Sequence, residues 1–119
     1  MDKKEKLFNK GVKYFNSKCY YDAHEFWEEL WSEYYLEDAN FVQGLIQLSV
    51  GYFHITNLNI NGAIGLLNKS IKKLEPYSPI CRGIDIVYLI EHASLSLQNL
   101  SDINSISDFN WAFSPIIKY

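Results

Sequence analysis

The sequence predicts an all-α fold, a compact bundle of about five helices built from helical hairpins. Three observations predict it. Apolar residues recur at three- and four-residue spacing in segment after segment, the pattern of one buried helix face. Turn-forming residues separate those segments, and no stretch gives a strand signal. With 119 residues, 48% apolar and 16% aromatic, the chain has enough apolar surface to bury a core. One helical domain spanning 1–119 follows.

The first helix is expected over residues 3–16, with Leu7, Phe8, Val12, Tyr14 and Phe15 on one face and Asn16-Ser17 as a stop. The second opens near Asp22, an N-cap or first-turn acid, and carries a stripe of Ala23, Phe26, Trp27, Leu30 and Tyr34. Glu37-Asp38-Ala39-Asn40 reads as a loop before a third helix over about 41–57. Asn57 to Gly62 is turn chemistry. A fourth helix then presents Ala63, Leu66, Leu67, Ser70, Ile71 and Leu74. Pro76 and Pro79 bracket the next loop, and Asp85 is placed to cap a fifth helix with Val87, Tyr88, Glu91 and Leu95. From about 101 to 119 the chain is polar with buried-looking Trp111, Phe113 and Ile116, as in an arm lying against a bundle.

A faint internal repeat supports the hairpin reading. Tyr20, Ala23, Phe26, Trp27 and Trp31 align with Ile60, Ala63, Leu66, Leu67 and Ile71 at a constant offset. A small Ala near the start of the second helix of each hairpin lets two helices approach closely, a tetratricopeptide-like geometry. Gly44 and Gly51, seven residues apart on one face of the third helix, permit another close crossing.

Charge and cysteine content narrow the function classes. The net charge is −3 and Arg82 is the only arginine, which argues against a nucleic-acid partner, since such proteins rely on arginine for phosphate and base contacts. Cys19 and Cys81 have neither zinc-knuckle nor redox-pair spacing. No apolar leader opens the chain, and the longest apolar run, residues 41–55, is broken by Gln43, Gln47 and His54 and is too short for a bilayer. The expectation is a soluble cytoplasmic protein (stromal if encoded in a plastid), with no membrane partner.

The segments Tyr20-Tyr21-Asp22-Ala23-His24-Glu25-Phe26-Trp27-Glu28 with Trp31, and Phe41-Val42-Gln43-Gly44-Leu45-Ile46-Gln47 followed by Tyr52-Phe53-His54, carry a resemblance. With Asn61-Gly62-Ala63, Leu66-Leu67 and Pro76-Tyr77 through Gly83-Ile84-Asp85, they resemble the small all-α family called domain of unknown function 309. The resemblance spans roughly residues 10–90. It implies a compact helical bundle of bacteria and plastids and no particular activity.

The same segments hold the polar residues that call for explanation, because polar groups among apolar ones are costly unless paired. His24 and Glu28 are four apart and share a helix face. His24-Glu25-x-x-Glu28 departs from the zinc-protease pattern H-E-x-x-H at its second histidine. Gln43, Gln47 and His54 fall on one stripe of the third helix. The candidate polar site is therefore His24, Glu28, Gln43, Gln47 and His54, with no cofactor or metal assigned. His92 reads as a structural pin, Glu29, Glu33, Glu37 and Asp38 as a solvated acidic face, and Phe26, Trp27, Trp31, Tyr34, Tyr52 and Phe53 as core.

Two functions fit these residues. The first is a non-enzymatic binding or adaptor module that takes a protein or small-molecule partner. The second is a small divalent-metal or acid–base enzyme using His24, Glu28 and His54. The aromatic arm is able to cover its own core or a second subunit, so a homo-oligomer stays open.

Overall fold

The computed structural model describes residues 2–119 and contains five α-helices and one small β-hairpin among them. Helix α1 spans Lys3–Asn16, and Asp2 caps it by accepting a hydrogen bond from the Glu5 amide at 2.8 Å. It buries Leu7, Phe8, Gly11, Val12 and Phe15. Lys18, at φ +62°, turns the chain into α2, Tyr20–Glu33, which buries Tyr20, Ala23, Trp27 and Leu30. That spacing is one helical stripe.

Helix α3, Ala39–Thr56, is the centre of the molecule. Ten of its eighteen residues are buried, from Phe41 to Ile55, because it packs against α2 on one side and the next helix on the other. A helix apolar over most of its circumference has to be covered on more than one side. Helix α4, Ile60–Leu74, is capped by Asn59, whose Oδ1 accepts from the Gly62 amide at 3.0 Å. The two glycines of α3 allow this pair to close. A Cβ added at Gly51 would lie 2.9 Å from Leu67 Cδ2, and one at Gly44 would lie 2.8 Å from Leu74 Cδ2. Ala23 and Ala63 are both fully buried at their helix contacts.

After a short 3-10 turn, Glu75–Tyr77, strands β1 (Ile80–Cys81) and β2 (Ile84–Asp85) form a two-residue hairpin. The sequence reading expected no strand here. Arg82 and Gly83 take φ +51° and +74°, and left-handed values at both central positions make the turn that matches strand twist. Arginine is an unusual first residue for such a turn, so the pattern gave no hairpin signal. Asp85 then caps α5, Ile86–Asp102, accepting from the Tyr88 amide at 3.0 Å.

The arm folds back over its own chain. Phe109, Ser114, Pro115 and Ile117 are buried, whereas Ile116, expected inside, is exposed, and Trp111 stacks on Tyr20 at 6.0 Å with a 16° interplanar angle. Asn16 clamps Ile117 through both backbone groups: Nδ2 donates to its carbonyl at 2.9 Å and Oδ1 accepts from its amide at 2.8 Å. Tyr119 reaches Phe8 edge-on and hydrogen-bonds Asn9.

Two details correct the sequence reading of the aromatic and acidic residues. Trp31 is 37% exposed, not core, whereas Trp27 and Tyr52 are fully buried. Asp38 is not a merely solvated acid. Arg82 Nε and Nη2 donate to its two oxygens at 2.6 and 2.9 Å, while the guanidinium lies 4.5 Å from the centre of the Phe8 ring. Helix α3 also begins at Ala39, two residues earlier than expected.

Candidate functional site

The five candidate polar residues divide into separate environments. His24 is half-buried on α2, and its Nδ1 lies 3.0 Å from the Tyr21 carbonyl. A carbonyl only accepts, so Nδ1 is the donor in this contact. Glu28, one turn further, is exposed. Tyr21 sits between the His24 ring, 5.1 Å away, and the Phe53 ring, 5.3 Å away.

His54 faces α4. Asn59 presents its oxygen to the Gly62 amide, which leaves its NH2 group toward His54 Nδ1 at 3.4 Å. Nδ1 of His54 is thus the acceptor and Nε2 carries the proton, whereas in His24 Nδ1 is the donor. The imidazole also lies against Gly62, where an added Cβ would come within 2.9 Å of the ring. His54 is built into the start of α4 as a staple. Among the described residues no three of His, Cys, Asp and Glu gather into a group able to hold a metal ion.

Gln43 and Gln47 do come together, one turn apart on α3. They line an open cleft of about 520 Å³ with Lys69, Lys72 and Lys73 of α4. Gly44 sets the depth of this seam: a Cβ there would also lie 3.1 Å from Lys73 Cβ. The stem of Lys73 is therefore held against α3 while its ammonium stays at the cleft. At the floor, Gln47 Oε1 is buried with no hydrogen-bond partner.

A model of the family described as domain of unknown function (DUF309) matches residues 8–66 of this sequence. The chain belongs to that family. The DUF309 match takes in most of α1, all of α2 and α3 and the first half of α4, and with them His24, Glu28, Gln43, Gln47 and His54. Lys69, Lys72 and Lys73 lie beyond it. Nothing among curated proteins or solved structures matches the chain.

The lysines are what residue-by-residue reading of this DUF309 chain missed, although a signal for them exists. Residues 22–38 contain seven carboxylates and no lysine or arginine, whereas residues 39–74 contain three lysines and no carboxylate. Charge is segregated by helix, and α4 carries the positive share of that stretch.

His92, Asp38 and Arg82 serve the fold. His92 Nδ1 donates to the Phe113 carbonyl at 3.0 Å, with the Tyr88 ring tilted against it at 4.3 Å, so it pins the arm to α5. The Arg82 guanidinium holds the Asp38 carboxyl below its ordinary range, and burial pushes the Cys81 thiol up. Cys19 and Cys81 are both free. No helix among the described residues is long and apolar enough to cross a membrane.

Proposed function

We propose that this protein is a non-enzymatic binding module whose recognition surface is the seam between α3 and α4. The observation that carries this reading is the orphaned Gln47 amide. A buried acceptor without a partner costs about 1–3 kcal/mol. Rotation of the Gln47 side chain brings the amide into the cleft beside Gln43 and the lysines, where a ligand's N–H satisfies it. Two neighbouring carboxamides, each offering donors and an acceptor, suit the amide groups of a peptide backbone.

The test is selection from a random peptide display library on the immobilised full chain. Enriched peptides are expected to bind in solution and to lose affinity when Gln47→Met removes the amide, with the variant still folded by circular dichroism. Failure to enrich any peptide, or undiminished binding to Gln47→Met, overturns the proposal.

A further inference from the structure

Resting on that binding reading, we infer that the seam takes an extended acidic peptide segment, with carboxylates at alternate positions running along α4. Three features of the cleft converge on this ligand. The first is its charge. Lys69, Lys72 and Lys73 face one opening with Gln43 and Gln47, and no carboxylate occurs anywhere between residues 39 and 74. Among the described residues the only ion pair is Arg82–Asp38, so the three ammonium groups have no carboxylate partner. Clustered cations without internal counter-charges create a local positive potential on a chain that is negative overall.

The second feature is spacing. Lys69 and Lys73 are four residues apart on α4 and share a face. Their positions differ by about 6 Å along the helix axis. Alternate residues of an extended chain are separated by about 6.6 Å and point to the same side. A peptide of the pattern acid-x-acid therefore sets one carboxylate at each of these lysines, with Lys72 flanking them. The third feature is the carboxamide pair. Lysines supply donors only, and carboxylates need no acceptor, so neither explains the glutamines. A peptide backbone brings N–H groups to Gln47 Oε1 and carbonyls to the amide N–H groups.

The same observations favour a peptide over a nucleic acid. The cleft contains no arginine and no aromatic ring on which a base would stack. The five carboxylates of α2 and Glu37 on the approach to α3, none of them in an ion pair, repel a long polyanion. A short acidic segment ends before reaching them.

The experiment measures binding of three labelled peptides to the full chain by fluorescence anisotropy. One alternates Glu with Ser, one has the same composition with its acids in a contiguous block, and one replaces Glu by Gln. A short oligothymidylate is the fourth probe. The alternating peptide is expected to bind tightest, several-fold above the blocked one, with affinity falling as salt rises. Lys69→Gln with Lys72→Gln, both on the exposed face of α4, is expected to cost about tenfold in affinity without changing the melting temperature. Equal binding of the Gln peptide, tighter binding of the oligothymidylate, or no effect of the lysine substitutions overturns the acidic assignment. If a neutral library-selected peptide instead binds and depends on Gln47, the binding reading stands and only the ligand class falls. If no peptide of any charge binds, both fall.

Discussion

The indole of Trp27 lies directly on Gly11. Its Nε1 donates to the Phe8 carbonyl at 3.2 Å, and a Cβ at Gly11 would sit 2.0 Å from that nitrogen. Trp27 is fully buried and also touches Phe8 and Phe15, so α1 and α2 meet through this ring. Gly11 is required here by close approach of a side chain.

Gly11→Ala is therefore expected to unfold the first hairpin interface. Fitting one methyl group demands displacement of the indole, loss of its hydrogen bond and repacking of the neighbouring rings. The cost is about 3 kcal/mol, at the upper end for overpacking, measured as a shift of the urea midpoint. A change below about 0.5 kcal/mol, typical of surface sites, would show that the ring has room to move.

At Gln47 the expected sign is reversed. Gln47→Met keeps the volume and removes the unsatisfied amide, so the variant should gain about 1 kcal/mol. Thermal melting would show this as a higher midpoint. A residue whose replacement stabilises the free protein while weakening binding is one retained for its ligand. Destabilisation by the same substitution would mean that the amide has a structural partner after all.

The helices and the Asp85 cap are legible in the sequence because they depend on neighbours. Asp85 caps α5 through a contact three residues away, the Asn59 cap of α4 lies unread inside its turn, and the Gly44–Gly51 spacing marks the close face of α3 before any partner is known. The site is less legible because it depends on how helices are rotated against one another. His24, Glu28 and His54 have suitable chemistry and lie on adjacent helices, yet His24 turns to its own backbone and His54 to the start of α4. Lys69, Lys72 and Lys73 join Gln43 and Gln47 only once the α3–α4 register is set. Asp38 and Arg82 are 44 residues apart, and their pairing needs an arginine in a left-handed turn. Local pattern has no access to that contact.

The Asp38–Arg82 pair gives the fold an acid-sensitive clasp. Arg82 lowers the Asp38 pKa from its ordinary 3.8, mainly by hydrogen bonding directly to the carboxylate. A carboxyl whose pKa is depressed on folding stabilises the protein fully above the unfolded value, and that contribution fades as pH falls through the folded value. With both side chains partly exposed, solvent screening holds the pair to about 1 kcal/mol. Asp38→Asn should thus be less stable than the parent at neutral pH, and the gap should close as the solution is acidified below 3.8. Denaturant titrations at successive pH values would show it. A gap independent of pH would assign the loss to packing.

Tyr52 makes the corresponding prediction at alkaline pH. Ser96 Oγ donates to the His92 carbonyl at 2.9 Å, so its one proton is committed and Tyr52 Oη must be the donor in their 2.8 Å contact. Burial pushes the Tyr52 phenol well above its ordinary 10.0. A group whose pKa rises on folding contributes fully below the unfolded value and loses that contribution as pH climbs toward the folded one, because only the unfolded chain ionises freely. Tyr52→Phe removes both the bond and the titration. It should cost about 1 kcal/mol at neutral pH, and its melting temperature should fall less steeply than the parent's above pH 10.0. Parallel melting curves for the two proteins across that range would place the alkaline loss of stability outside this buried phenol.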